Sequence, residues 1–470
     1  MQATDEARSY GRRASLLSIG VGLTGLITYL YFAIASHELS RDQYGEVAVL
    51  WSAVFIVVSI LQRPVEQLLS RTVSENLAHQ QPIRHTVRVA ATIQLSVAVA
   101  FDVVALALRT PIQDHLLHGN STLYWIGVAA VTAYGASYFA RGFLAGSHRL
   151  TVYALLIISE SVARTAFPTA VALGIASGQT AVALGIVAAP TLSLIVVPFA
   201  FIRRFGGDPR AGPAAGGGSE GTPGVSRPEE PTAAAAPGAE FTLARGGRFA
   251  AGIFLIMLSE QTFLNGGVLL TNATASAAAA GYVFNVLMIA RAPLQLFQAV
   301  QTSLLPHLTT LGSRGEERDF RASIRVTILA IACFAGLVAL ALLIAGPHLM
   351  QIAFGKKHDY NRADLVLVSV GMGLYLSAAT LNQAALAKGQ VRRASFCWIS
   401  CAIVFVAWIA LPIVSSVVTR VVIGYLGAAA LLCSLLYWLY RQPLRPLEVR
   451  IKPGSTEEME LQLASADEAG

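Results

Sequence analysis

Arg291, Gln295, Gln298 and Thr302 fall on one strip of a stretch that is otherwise apolar. At about 100° per helical residue the four lie within about 40° of one another. Pro293 in the same stretch marks a candidate kink. Arg291 has no acidic residue within a turn on its own helix. A charge inside hydrocarbon demands a partner or a task, so its expected partner is a ligand, water or another helix. The preceding apolar stretch supplies Glu260, Gln261 and Asn265. Glu260 either neutralises Arg291 across the helix pair or holds a coupling cation or proton, and the residues alone leave both open. Arg164 shares a helix face with Glu160 at i, i+4, which fits a self-neutralising structural pair as well as a functional one. Asp102 is a further intramembrane carboxylate, and Asn382 with Gln383 adds neutral donors. Gln62, Glu66 and Gln67 stand near one end of their stretch, with Gln62 and Gln67 as gate candidates; snorkelling to the interface is the plainer account.

A guanidinium presents a planar fork of donors that matches phosphate oxygens. Arg291, Gln295, Gln298, Arg164, Asn265 and Gln261 are therefore the candidate lining of a central cavity for an anionic ligand with polar groups. Glu260, Glu160 and Asp102 are its candidate charge or coupling partners. A cationic drug would instead want an acidic cavity lined with aromatic rings.

The elements that must hold these groups follow from composition. With 54% hydrophobic residues, 13% charged and a mean hydropathy of +0.59, the chain does not read as a soluble globule. A crossing takes roughly 20 apolar residues. Such stretches lie near 15–36, 45–62, 85–108, 121–140, 150–174, 179–202, 246–272, 281–305, 324–345, 364–387, 395–416 and 419–440. The first lacks a small-residue cleavage site and reads as a signal anchor. The net charge of +7 is a topology signal and not a nucleic-acid footprint. With the N-terminus inside, 26 of the 34 basic residues fall on inner segments and six on outer ones, which is the positive-inside pattern. Both termini and the central linker are thus expected in the cytoplasm, and the protein in the plasma membrane. The longest outer connection, about 346–363, has room for one amphipathic turn.

Four cysteines fall inside spans, where Cys397 and Cys401, at i, i+4, are poorly placed for a disulfide. His115 and His118 form a lone outer-loop pair without further ligands. No metal and no cofactor are expected.

The second six spans echo the first. Gly45 to Glu75 aligns with Gly281 to Leu311 at a shift of 236, pairing Gly45 with Gly281 and Gln62 with Gln298. Arg88 aligns with Arg325 at a shift of 237, and Gly146 with Gly389 at 243. Two like-oriented halves in a membrane bundle usually mean a transporter with a site between them. The expected division is a cytoplasmic N-terminus (1–14), a six-helix lobe (15–205), a Gly/Pro/Ala-rich linker (206–245), a second six-helix lobe (246–440) and a cytoplasmic tail (441–470). The linker composition cannot bury a core.

Two short segments carry a family resemblance. His37-Glu38-Leu39-Ser40-Arg41-Asp42-Gln43-Tyr44-Gly45 resembles an L-x-x-x-x-Y-G turn. Ala140-Arg141-Gly142-Phe143-Leu144-Ala145-Gly146 resembles an R-G-x-x-x-G segment. With the 6+6 layout and the repeat, they make the chain resemble the polysaccharide-transporter branch of the multidrug/oligosaccharidyl-lipid/polysaccharide (MOP) exporter superfamily over residues 10–440. The resemblance implies an all-α membrane fold of two six-helix lobes working by alternating access. It also implies a flippase for polyprenyl-diphosphate-linked oligosaccharides. The bilayer, with a proton or sodium ion as candidate coupling ion, completes the expected partners of a monomer. Two departures favour that cargo: the chain stops at twelve spans where lipid II flippases have two more, and span 1 (Ser15–Ser36) lacks the acidic residue common in drug exporters. A cation-coupled small-molecule exporter of the same fold is the alternative. An envelope polymerase or glycosyltransferase is opposed by the absence of any Asp-x-Asp and of a large outer loop.

Overall fold

The computed structural model describes residues 2–201, 243–289, 291, 293, 297, 317–356 and 359–442. Gln295, Gln298, Thr302, the linker over 206–240 and the tail beyond 442 lie outside the described residues.

The described chain is a succession of long helices. In the first half these are α1 (Gln2–Glu38), α2 (Arg41–Leu61), α3 (Arg63–Ala78), α4 (Arg84–Ala107), α5 (Ser121–Gly146), α6 (Leu150–Ala172) and α7 (Gly178–Ser193), the last continuing as a 3-10 segment, Leu194–Phe201. In the second half α8 (Leu243–Gln261) passes through a π turn, Thr262–Gly266, into α9 (Gly267–Thr274). Then come α10 (Ala277–Ile289), α11 (Glu317–Phe354), α12 (Arg362–Ala387), α13 (Val391–Ala410) and α14 (Val417–Arg441). Ten continuous helical stretches are long and apolar enough to cross a membrane. The 26-residue α5 and the shorter apolar α10 take the two remaining places in the twelve-pass order.

Helix starts are sharp at one end of the bundle. Ser40 and Gln43 close a capping box before α2, and Asn120, Asn361 and Ser416 each accept a backbone N–H at the starts of α5, α12 and α14. At two boundaries a proline lies inside helix that the sequence expectation had ended. The second apolar stretch does not end at 62: Pro64 sits in the first turn of α3, where its missing N–H costs nothing, and the helix resumes to Ala78. Likewise α11 runs through Pro347 to Phe354, leaving only 355–361 as a connection where an amphipathic turn was expected. Burial of Met350 and Phe354, with Phe354 packed on Tyr29 at 5.1 Å, outweighs the one backbone bond that proline removes.

The two family-like segments occupy contact points. A Cβ on Gly142 would stand 2.7 Å from the Glu66 carbonyl oxygen, and Gly146 likewise faces Ser70. Small residues four apart let α5 lie directly on α3. Tyr44-Gly45 does the same between lobes. A Cβ on Gly45 would run into the Ala277 carbonyl, and one on Gly281 would come within 3.0 Å of the Gly45 Cα. Gly45 and Gly281 are partners under the 236-residue shift, so a residue meets its own repeat equivalent, as happens beside a twofold axis. The Tyr44 hydroxyl donates to Asn285 Oδ1, whose Nδ2 donates to the Tyr360 hydroxyl at 3.1 Å. Asn272 Nδ2 donates to the Leu116 carbonyl at 2.9 Å. The lobes are thus shut together at the end carrying the Gly45 turn.

A leucine at 45 has nowhere to go while that end is shut. In a background without other cysteines, a cysteine replacing the buried Ala48 should resist a bulky thiol reagent. It should react about tenfold faster once Gly45→Leu is added; equal rates would refute the tight crossing.

Candidate functional site

In the first lobe, Glu160 and Arg164 stand a turn apart on α6, and both are buried, at 4% and 3% exposed. Arg164 Nη2 donates to Glu160 Oε1 at 2.8 Å and to the Tyr134 hydroxyl at 2.7 Å. Its guanidinium lies over the Trp51 ring at 4.8 Å. The other carboxylate oxygen accepts from Arg141 Nη2 and from Ser137 Oγ. Arg141 in turn stacks on Tyr138 at 4.4 Å. One carboxylate therefore serves two arginines, and Nε of each has no hydrogen-bond partner. The pair expected from the sequence is a triad, and its third member is the arginine of the R-G-x-x-x-G segment. Arg164 is 3% exposed, with its charge met by Glu160 inside the lobe.

In the second lobe, Arg291 is half-buried. Its Nη2 donates to the Leu264 carbonyl at 2.6 Å and to Asn265 Oδ1 at 2.7 Å, and its guanidinium stacks on Phe284 at 4.5 Å. No carboxylate pairs with it among the described residues. Gln261 and Asn265 are both buried, and Asn265 Nδ2 donates to Gln261 Oε1 at 3.0 Å.

Glu260 points elsewhere. Gln261 and Asn265 share a helix face about 100° round from it, and that face, not Glu260, meets Arg291. The Glu260 carboxylate attracts Arg63, on the other lobe at the α2–α3 junction. It forms no ion pair within 4 Å among the described residues. Arg63 also faces Glu66, whose carboxylate accepts from the Tyr153 hydroxyl at 3.0 Å. Charge thus alternates from Glu260 across to Arg63, Glu66, Arg141, Glu160 and Arg164. Sequence reasoning missed Arg63 and Arg141 because each stands at the inner end of an apolar stretch, where an arginine reads as a topology signal.

Gln62 is fully buried and accepts from Gln94 Nε2 at 2.6 Å, so it does not snorkel. Gly135 opposite leaves the room for that amide pair. Gln67 is exposed on α3. Asp102 accepts from Thr132 Oγ1 at 3.0 Å, between α4 and α5. Asn382 accepts from the Trp398 indole N–H inside the second lobe.

Residues 11–224 match a family described as polysaccharide biosynthesis protein. The sequence is 25% identical over 423 residues, 86% of each chain, to an uncharacterized protein of Mycobacterium tuberculosis. An inward-facing multidrug resistance MATE family transporter of the MOP superfamily superposes with a TM-score of 0.65 at 9% identity, covering 90% of this chain and 97% of that one. An outward-facing structure so described gives 0.56 at 12% identity, covering 91% and 94%. A MOP superfamily transporter from Pyrococcus furiosus, described as having a binding pocket of reverse polarity, gives 0.55 at 12%, covering 92% and 96%. At these identities the likeness is one of fold.

The two charged groups should respond differently to mutation. Glu160→Gln strands two buried guanidiniums and should cost about 3–5 kcal/mol, read as a lowered melting temperature in detergent. Arg291→Gln and Glu260→Gln should combine additively within about 0.5 kcal/mol. Mutual rescue of stability in the double variant would mean that the two are paired after all.

Proposed function

This chain has the fold of the MOP exporter superfamily and crosses the membrane many times, and we propose that it is a flippase for polyprenyl-diphosphate-linked oligosaccharides serving envelope polysaccharide synthesis. The observation that carries the proposal is Arg291, a guanidinium fixed at the second lobe's face with no carboxylate beside it among the described residues. Four arginines (63, 141, 164, 291) stand against three glutamates (66, 160, 260) in this region, which favours an anion over a cation. Arg291 has donors to spare for phosphate oxygens. Arg63, half-buried between lobes, is the second candidate contact. The family match of the first half supports a polysaccharide role. The reversed pocket polarity described for the Pyrococcus furiosus protein supports the idea that this fold does not dictate the charge of its cargo.

In this proposal the lobes rock about the Gly45–Gly281 crossing. The Arg141–Glu160–Arg164 triad stiffens the first lobe, and Glu260 is the candidate for exchanging a coupling ion. The domain limits 15–205 and 246–440 are the lobes so moved, both termini are cytoplasmic, and the protein works as a monomer. One observation favours a small-molecule exporter instead: Glu260 lacks an ion-paired partner and could take a cation.

The test is complementation of a strain lacking its envelope flippase. Arg291→Gln should reach the membrane normally yet lower flipping about tenfold to a hundredfold, the loss expected of a charge-assisted contact. Lipid-linked oligosaccharide should then build up on the inner leaflet, and Arg291→Lys should fall between. Full complementation by Arg291→Gln, with cationic dye efflux lost in Glu260→Gln, would establish the exporter instead.

A further inference from the structure

Resting on the assignment of Arg291 as an anion-binding group, we infer that Gln261 and Asn265 are positioning residues that hold the Arg291 guanidinium in one orientation and do not touch the cargo. Burial gives the first argument. Gln261 and Asn265 are 6% and 4% exposed, whereas Arg291 is half-buried and nearer the lobe surface. The polar groups are therefore stacked in depth, and only the outermost is placed to meet a ligand.

The second argument is the direction of the hydrogen bonds. A side-chain amide presents a donor on one side and an acceptor on the other. Gln261 Oε1 accepts from Asn265 Nδ2 at 3.0 Å, so the donor side of Asn265 is taken. What remains toward Arg291 is Oδ1, which accepts from Nη2 at 2.7 Å. Turned over, the same amide would set its NH2 against the guanidinium N–H groups, donor facing donor, in a buried place where neither could turn to water. Gln261 thus chooses which side of Asn265 the arginine sees. It does so from a full turn earlier on α8, without reaching the arginine itself.

A third constraint comes from the backbone. Thr262–Gly266 is a π turn, an interruption of the regular helical ladder of the kind that recurs at functional sites. Within it the Leu264 carbonyl accepts from the same Nη2 at 2.6 Å. Phe284 covers one face of the guanidinium. Nη2 is therefore committed twice to protein acceptors, while Nε has no hydrogen-bond partner and Nη1 makes no bond among the described residues. Nε is buried, so the two Nη1 N–H donors are the ones left for phosphate oxygens, on a group that cannot swing away. Such pre-organisation lowers the ordering cost when a ligand arrives.

The test uses the full-length protein in detergent, with farnesyl diphosphate as the probe and inorganic pyrophosphate as competitor. Arg291→Gln should weaken the probe about tenfold to a hundredfold. Unchanged affinity there would remove the assignment of Arg291 itself, whatever the other variants do. Given that loss, Gln261→Met, which keeps the length but not the acceptor, should weaken binding about tenfold. Asn265→Asp keeps the acceptor but neutralises the guanidinium. It should lose binding as fully as Arg291→Gln while melting no lower than the parent protein, so it keeps the inference testable where Gln261→Met reaches the membrane poorly. Parent-like affinity in either Gln261→Met or Asn265→Asp, alongside a weakened Arg291→Gln, would overturn the positioning role and leave Arg291 a free-standing contact.

Discussion

A guanidinium in hydrocarbon must be paired, hydrogen-bonded or offered to a ligand, and how this protein meets that demand separates its two lobes. In the first lobe one glutamate serves two arginines, and tyrosine, serine and tryptophan take up the remaining surface. The arrangement is closed and buried, and it ties α5 to α6 and α6 to α2. In the second lobe Arg291 is held by a carbonyl, an amide and a ring. Neutral acceptors fix a charge without cancelling it. The first solution neutralises its charges within the lobe, and the second leaves one uncancelled among the described residues. Both stack a guanidinium on an aromatic ring, which provides attraction without a carboxylate.

That contrast depends on helices that come very close. Gly142 and Gly146 let α5 ride on α3, bringing Arg141 to α6; Gly45 and Gly281 let α2 ride on α10. In a membrane there is no water to expel between helices, so association rests on close packing and hydrogen bonds. Glycine at these crossings supplies the first, and Tyr44, Asn285 and Tyr360 supply the second.

The fold was legible because hydrocarbon imposes a length and forbids charge: the apolar blocks, the arginine asymmetry and the repeat all report that constraint directly. The Glu160–Arg164 pair was legible for the same reason, being four residues apart in an apolar run. The rest was hidden by physics that acts across helices. Arg141 and Arg63 stand where a span meets water in the linear sequence, and the long reach of arginine brings their charge to partners on other helices. The partner of Arg291 was ambiguous because Glu260 and Asn265 are both nearby in sequence; helix phase and a π turn decide between them. Pro64 and Pro347 look like stops, yet one sits in a first turn and the other in a helix whose far end is held by burial.

The meeting of Gly45 with Gly281 has a consequence for why both lobes belong to one polypeptide. Under the same shift, Arg291 in the second lobe stands opposite Phe55 in the first. Two identical six-helix subunits associating face to face would form an isologous contact, in which every residue near the axis appears twice. Such a pair could hold two guanidiniums at this level or two phenyl rings, never one of each. Covalent fusion releases the halves from that doubling. It lets one half place a ring at this position, with Phe55 stacked on the buried Trp51 at 4.0 Å, while the other carries the charge. The two halves can then present chemically different groups toward the axis, which no pair of identical subunits could do.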